Sequence, residues 1–222
     1  MSAKSDPTTK LPSAPPSSRG YFDTIGAEWD HMRERFFPDH VRERALAVAA
    51  VEAKRLAADL GAGTGFLTEG LLARGVNVIA VDQSPVMLEA LRDKFPEPDK
   101  LDCRIGEAEH LPIDDNAVDY SLANMYLHHV ERPAIAIGEM TRILKPGGIV
   151  VITDLDTHQH TFLRDEHHDR WLGFQRQDIR AWFRDAGLTD VHIDDIGDQC
   201  RATSTGGSDA AIGIFIASGR KR

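Results

Sequence analysis

Three glycines, Gly61, Gly63 and Gly65, fall within the stretch ADLGAGTGFLTEGLLARGVNVIAVDQS, residues 58–84. An apolar run leads into them, and a second run, 77–81, leads into Asp82. Glycine permits a tight turn and a close approach of ligand to backbone that any Cβ would block. A helix starting after such a turn presents free N–H groups. A carboxylate at the end of the next strand can accept two hydrogen bonds from a ribose diol. The stretch therefore reads as a cradle for a nucleoside-containing cofactor. The alternative is that the glycines only form a tight strand-to-helix turn.

The spacing separates two kinds of nucleoside cofactor. A dinucleotide fingerprint runs G-x-G-x-x-G/A, whereas here Gly61, Gly63 and Gly65 alternate and Phe66 holds the sixth position. Asp59 stands two residues before the first glycine. Its carboxylate would repel a pyrophosphate and attract a cofactor that carries an ammonium and a sulfonium. That points to S-adenosylmethionine.

These residues must be positioned by a larger frame. Apolar runs at 55–60, 77–81, 118–123 and 148–153 read as buried strands, with helical patterns between them at about 65–74, 84–95 and 132–143. That alternation predicts βαβ units and a mostly parallel sheet. A helix is expected at about 175–186, then strands at 190–196 and 211–217. The polar stretch GDQCRATSTGG between those strands shows no helix, so the last strand is expected to run antiparallel. Residues 21 to about 51 look helical, broken at Pro38, with Asp39 as N-cap of the second part. We expect a tail over 1–20, rich in Ser and Pro and disordered, and a single domain over 21–222 with N-terminal lid helices at 21–52.

Composition narrows the partners. A formal net charge of −9 argues against nucleic acid, and Arg33, Arg35, Arg42 and Arg44 read as a solvated helix face. There is no membrane-spanning run and no signal-peptide core. Two cysteines, Cys103 and Cys200, make no disulfide framework, so a cytoplasmic location is expected. The oligomeric state is left open.

Four motifs together resemble the class I S-adenosylmethionine-dependent methyltransferases, in particular the small-molecule branch that includes the ubiquinone and menaquinone C-methyltransferases. They are DLGAGTGFL, AVDQSPVMLEAL, GEAEHLPIDDNAVDYSLANMYLHHV and RILKPGGIVVITD, in that order. The resemblance implies a Rossmann-like, doubly wound α/β fold with a mostly parallel seven-stranded sheet and an antiparallel last strand. It places Asp59, Gly61, Gly63 and Thr64 on the methionine and ribose side, and Asp82 on the ribose hydroxyls. It puts Gln83 and Met87 beside the adenine, Glu107 and the Ala108 N–H at the adenine edge, and Asn124 near the reactive methyl. Met87 is equally explained by helix packing. Tyr21 or Trp29 would close the pocket.

Methyl transfer is an in-line displacement at an already activated carbon, so alignment and water exclusion matter more than any one side chain. The fourth-strand exit ANMYLHHV lacks the two prolines of the N/D-P-P-Y/F element found in methyltransferases that act on adenine or glutamine amino groups. A small-molecule acceptor is therefore expected. His128 and His129 are candidates for a general base, with helix packing as the alternative. In the run DLDTHQHTFLRDEHHDRWLGF, residues 154–174, we read an acceptor pocket that includes Asp156, His158, Arg170 and Trp171 and holds no metal. Asp154, Asp156, His158 and His160 are spaced for a divalent cation, and solvated surface is a third reading. The function expected is methyl transfer to a small acceptor. The competing class is a regulator or partner protein that binds the cofactor without turnover.

Overall fold

The computed structural model describes residues 18–26, 29–96 and 99–222. Three helices come first: α1 (Ser18–Ile25), α2 (Trp29–Phe36) and α3 (His40–Ala49). Next come β1 (Leu56–Leu60), α4 (Phe66–Ala73), β2 (Asn77–Asp82), α5 (Pro85–Lys94), β3 (Leu101–Ile105) and β4 (Val118–Asn124). A 3-10 turn at Leu127–His129 leads into α6 (Pro133–Arg142) and β5 (Leu144–Leu155). The chain ends with α7 (Phe162–His167), α8 (Arg176–Asp185), β6 (Leu188–Thr203) and β7 (Asp209–Lys221).

The strands form one seven-stranded sheet in the order β3-β2-β1-β4-β5-β7-β6. The pairs among β1 to β5 are parallel, and β7 runs antiparallel to both β5 and β6. Period-two alternation builds a core on each face. Ile149 and Val151 of β5 join Val41, Leu46 and Leu71 of α3 and α4, while Val150 and Ile152 join Ile137, Met140 and Phe183 of α6 and α8. The connections leaving the adjacent strands β1 and β4 thus pass to opposite faces, which opens a crevice at their carboxyl ends.

The sequence pattern locates most of these elements, with informative differences. The edge strand β3 carries the mixed sequence LDCRI, in which Leu101 alone is buried, so no apolar run marks it. In β5, the register slips between Val118↔Leu144 and Tyr120↔Ile149, and Pro146–Gly148 fill that irregularity, with Gly147 at φ +81°. The polar stretch after 196 is largely strand. It lies on the sheet edge, where Ile196, Cys200 and Ala202 turn inward and the residues between them face out. The short helix α7 lies inside the run read as an acceptor pocket.

At the amino end, residues 1–17 of the expected disordered tail lie outside the described residues. Its boundary at 20 needs correction, because Ser18 begins α1. Asp39 occupies the N-cap position of α3 but caps nothing with its side chain. Its carboxylate instead faces Arg33 at 3.3 Å and Arg42 at 3.5 Å. Nor are Arg33 and Arg42 solvated. Their guanidinium groups cover the Phe66 ring at 4.5 and 5.1 Å, leaving the side chains 11% and 13% exposed. Among the described residues no helix is long and apolar enough to cross a membrane.

Candidate active site

The glycine turn joins β1 to α4, and each glycine answers to a different neighbour. A Cβ on Gly61, which sits at φ +66°, would overlap the ring of Tyr126. At Gly65, φ +94°, a Cβ would lie 2.9 Å from the Phe95 ring, so that glycine serves the packing of α4. Gly63 faces a cavity, with Trp29 Nε1 on the far side, 3.7 Å from where its Cβ would stand.

Two carboxylates hold this turn in place. Asp59, at the end of β1, is buried, and its Oδ2 accepts hydrogen bonds from Thr68 N at 2.9 Å and Thr68 Oγ1 at 2.7 Å. Burial pushes its carboxyl up to about 6, against those two hydrogen bonds. Asp82 bridges two loops: Oδ2 accepts from Gly63 N and Oδ1 from Ser84 N, both at 2.9 Å. Burial raises its carboxyl as well, opposed by backbone N–H donors. The backbone N–H groups of Ser84, Gly63 and Gln83 together take three of the four lone-pair positions of this carboxylate.

A cavity lies over the turn and is lined by seven of the ten residues assigned to the cofactor: Asp59, Gly61, Gly63, Asp82, Gln83, Met87 and Asn124. Glu107 and Ala108 line a neighbouring cavity, which shares Gln83, Tyr126 and His129 with the first. Thr64 does not line either. Its buried hydroxyl donates to Asp30 Oδ1 of α2 at 2.5 Å. Asn124 is oriented by Thr153 Oγ1, which donates to its Oδ1 at 2.7 Å. Two further ties fasten the N-terminal helices here: Ser84 Oγ donates to Asp23 at 2.6 Å, and Lys94 Nζ reaches Asp30 at 2.9 Å.

Beside the first cavity lies a second, largely apolar one. Phe22, Trp29, Phe37, Met125 and His129 border both, so the two spaces share a wall. Phe22 stacks edge-on against Trp29 at 5.5 Å and against His129 at 5.2 Å. Tyr21, Phe36, Leu155, Leu163, His167 and Cys200 complete the apolar lining, and Tyr21 and Trp29 stand where a pocket-closing residue was expected.

His128, His129 and Asp169 form the polar end of that cavity. The buried His128 bonds through Nδ1 to Asp154 Oδ1 at 2.7 Å, and its Nε2 faces Asp169 Oδ1 at 3.8 Å. Burial opposes a charge on His128, but the two carboxylates prevail and push it up to about 9. Burial and the neighbouring His128 hold His129 well below the usual histidine range. Burial pushes Asp169 up to about 6.

The four residues expected in the acceptor pocket are not brought together there. Asp156 is gripped by Arg176 through two hydrogen bonds of 2.7 and 2.6 Å, and its carboxylate packs against Gly213 of β7. His158 Nδ1 accepts from His160 N at 3.2 Å, and its buried Nε2 finds no partner. Arg170 lies 3.9 Å from Glu131 and lines the cavity of Glu107, while Trp171 is 40% exposed and donates from Nε1 to Val130 O. The run contributes differently. The backbone N–H groups of Arg170 and Trp171 both donate to His128 O at 3.0 Å, and Asp169 turns into the cavity.

The metal set Asp154, Asp156, His158 and His160 is not assembled either. Asp154 is consumed by His128 and by the N–H groups of Leu127, His128 and Leu155, and Asp156 by Arg176. Sequence reasoning passed over Asp169, Tyr126, Phe22 and Phe36. One signal was present for two of them: Phe22, Trp29 and Phe36 recur every seven residues, a spacing that sets side chains on one helical face.

Strand order, the crevice at β1 and β4 and the glycine turn together define the Rossmann-like fold of class I methyltransferases. Residues 58–152 match a family model described as a methyltransferase domain. An uncharacterized methyltransferase of Mycobacterium tuberculosis is 49% identical over 96 residues, covering 43% of this chain and 38% of that protein. A demethylmenaquinone methyltransferase of Clavibacter sepedonicus is 38% identical over 111 residues, 50% of this chain and 45% of the relative. The rice chloroplast 2-methyl-6-phytyl-1,4-hydroquinone methyltransferase 2 is 30% identical over 182 residues, 80% and 52%. The chain thus spans about 40 to 50% of the length of these relatives. Among solved structures, Haemonchus contortus phosphoethanolamine N-methyltransferase 2 in complex with S-adenosyl-L-methionine has the same fold. Its TM-score is 0.72 at 15% identity, over 95% of this chain and 61% of that one.

Proposed function

We propose that this chain transfers a methyl group from S-adenosylmethionine to a small, largely apolar acceptor seated in the aromatic cavity. The wall shared by the two cavities carries this reading, because it sets a donor space and an apolar space side by side at the β1–β4 crevice. The residues present suit the donor. Asp82, pinned by the backbone of Gly63, Gln83 and Ser84, sets a fixed carboxylate at the cavity wall for a ribose hydroxyl, and Asp59 sets one at the floor for an ammonium. When bound, S-adenosylmethionine supplies an electrophilic methyl on a sulfonium.

The chain's own residues supply geometry. Asn124, held by Thr153, borders the donor space where strand β4 ends. The aromatic side chains of α1 and α2 cover both cavities and exclude water. Orientation of this kind contributes as much as roughly 7–11 kcal/mol in well-aligned reactions. His128 and His129 stand at the acceptor side, where an acceptor proton would have to leave.

The Clavibacter and rice relatives are named for quinone-type acceptors. With the aromatic lining, those names favour a flat ring bearing a hydroxyl. A cytoplasmic enzyme that acts without nucleic acid fits the charge and the two free cysteines. The test is incubation with labelled S-adenosylmethionine and a panel of hydroquinones, phenols and amines. Label on a hydroxyaromatic product supports the proposal. Tight donor binding with no label on any member of the panel or of a metabolite extract would favour the regulator reading.

A further inference from the structure

We propose that His128, His129 and Asp169 form a binding site for a divalent transition-metal ion at the polar end of the aromatic cavity. Each side chain offers one ligand atom, and the three atoms lie within 4.8 Å of one another. All three border the same cavity. The site is built from the 3-10 turn and from the segment that follows α7, and the backbone N–H groups of Arg170 and Trp171 clamp these two segments together.

The rear of each imidazole is already engaged. His128 Nδ1 is held by the fully buried Asp154, which leaves Nε2 directed towards Asp169. His129 Nδ1 faces the His168 carbonyl at 3.4 Å, which leaves its Nε2 for the cavity. Metal-bound histidines almost always show this arrangement: the second nitrogen is donated to a carboxylate or carbonyl, fixing the tautomer and raising the basicity of the ligating nitrogen.

Asp169 supplies an independent reason. It is 4% exposed, and its carboxylate meets His128 Nε2 in an ion pair of 3.8 Å, too long for a hydrogen bond. A buried carboxylate held by so long a pairing is costly, and a cation between Asp169 and the two imidazoles would satisfy it. Two imidazoles and one carboxylate suit Zn²⁺, Fe²⁺ or Mn²⁺. Ca²⁺ and Mg²⁺ seek oxygen-rich shells and suit it poorly. Three protein ligands leave coordination positions open to the cavity.

The role of the ion rests on the function proposed above, but its binding does not. An acceptor with a hydroxyl oxygen would fill an open position. The ion would then lower the hydroxyl pKa, and the proton would pass to solvent.

The experiment uses the full chain, stripped with chelator and desalted. Co²⁺ is titrated by its visible absorption and Zn²⁺ by calorimetry, without donor or acceptor. Stoichiometric binding is expected, weakened about tenfold or more in Asp169→Asn and unchanged in His158→Ala. The Asp169→Asn chain should still show a cooperative melting transition, and its melting temperature should gain nothing from added metal, whereas that of the parent should rise. That readout separates lost binding from lost folding. Equal metal binding by the parent and Asp169→Asn, or no stoichiometric binding at all, would overturn the site. Metal binding without methyl transfer would leave the site standing and count against the function alone.

Discussion

The ring of Tyr126 rests on Gly61, so that the cavity over the glycine turn is bounded by an aromatic side chain from just beyond β4. Gly61→Ala would force a Cβ into that ring and put an L-residue at φ +66°. We expect it to cost about 1–3 kcal/mol of stability and to weaken the donor at least tenfold. Tyr126→Ala in the same chain removes the overlap and should recover part of the stability. Thermal denaturation of the single and double variants checks this.

Asp82→Ala removes a charge-assisted hydrogen bond to a ribose hydroxyl, worth roughly 1.5–3 kcal/mol, and frees the N–H groups of Gly63 and Ser84. Donor affinity should fall at least tenfold by calorimetry. An unchanged affinity would remove Asp82 from the donor site.

Donor binding should depend on pH through Asp59. Its carboxyl is raised from 3.8 to about 6 by burial, so it is half-protonated near pH 6 in the free chain. An ammonium bound beside it favours the ionised form, so affinity should hold above pH 7 and fall by up to about tenfold per unit below pH 6. For stability the sign reverses: the raised carboxyl favours the folded state at low pH, and that contribution is lost as pH rises from 3.8 through about 6. Asp59→Asn should therefore flatten the affinity profile and stabilise the ligand-free chain at neutral pH. A profile of the same slope in Asp59→Asn would assign the titration elsewhere.

Trp29 borders both cavities, whereas Leu163 borders only the apolar one. Trp29→Ala should weaken donor and acceptor together, each at least fivefold, and Leu163→Ala the acceptor alone. Donor titration and acceptor KM, measured on both variants, decide it.

Thr64 tests the attachment of the lid. Its hydroxyl lies outside the donor cavity but ties the glycine turn to Asp30 of α2. In Thr64→Val that bond is lost, and about 1 kcal/mol goes with it. Faster hydrogen exchange confined to 29–36, with donor affinity lowered, is the expected result.

That seven of the ten residues expected to hold the donor line one cavity was legible because most of them stand in one continuous stretch whose chemistry follows from local rules. The turn at Gly61–Gly65, the strand end at Asp82 and the helix start at Ser84 need only neighbours in sequence to be recognised. Gly61 was read as making room for a ligand, yet its nearest neighbour is Tyr126, which only the pairing of β1 with β4 brings close. The acceptor side was harder for the same reason. Asp156 had suitable chemistry but lies beside α8 and β7, where Arg176 claims the carboxylate, and His158 pairs with His160. Asp169 and Phe36, separated by most of the chain, face one cavity because the fold joins them. β6 was underestimated since an edge strand tolerates polar residues that a buried one would not.

The wall shared by the two cavities also has a consequence for how such a chain can diversify. The matched family region, 58–152, holds the glycine turn, Asp82 and Asn124, whereas Tyr21, Phe22, Phe36, Leu163, Asp169 and Cys200 all lie outside it. Insertion, replacement or drift in the C-terminal segments that carry Leu163, Asp169 and Cys200 can therefore reshape the second cavity while leaving the first intact, whereas change at Phe22, Trp29 or Phe37 reaches both. The fold behaves as a fixed power supply with a socket that is exchangeable from one end of the chain.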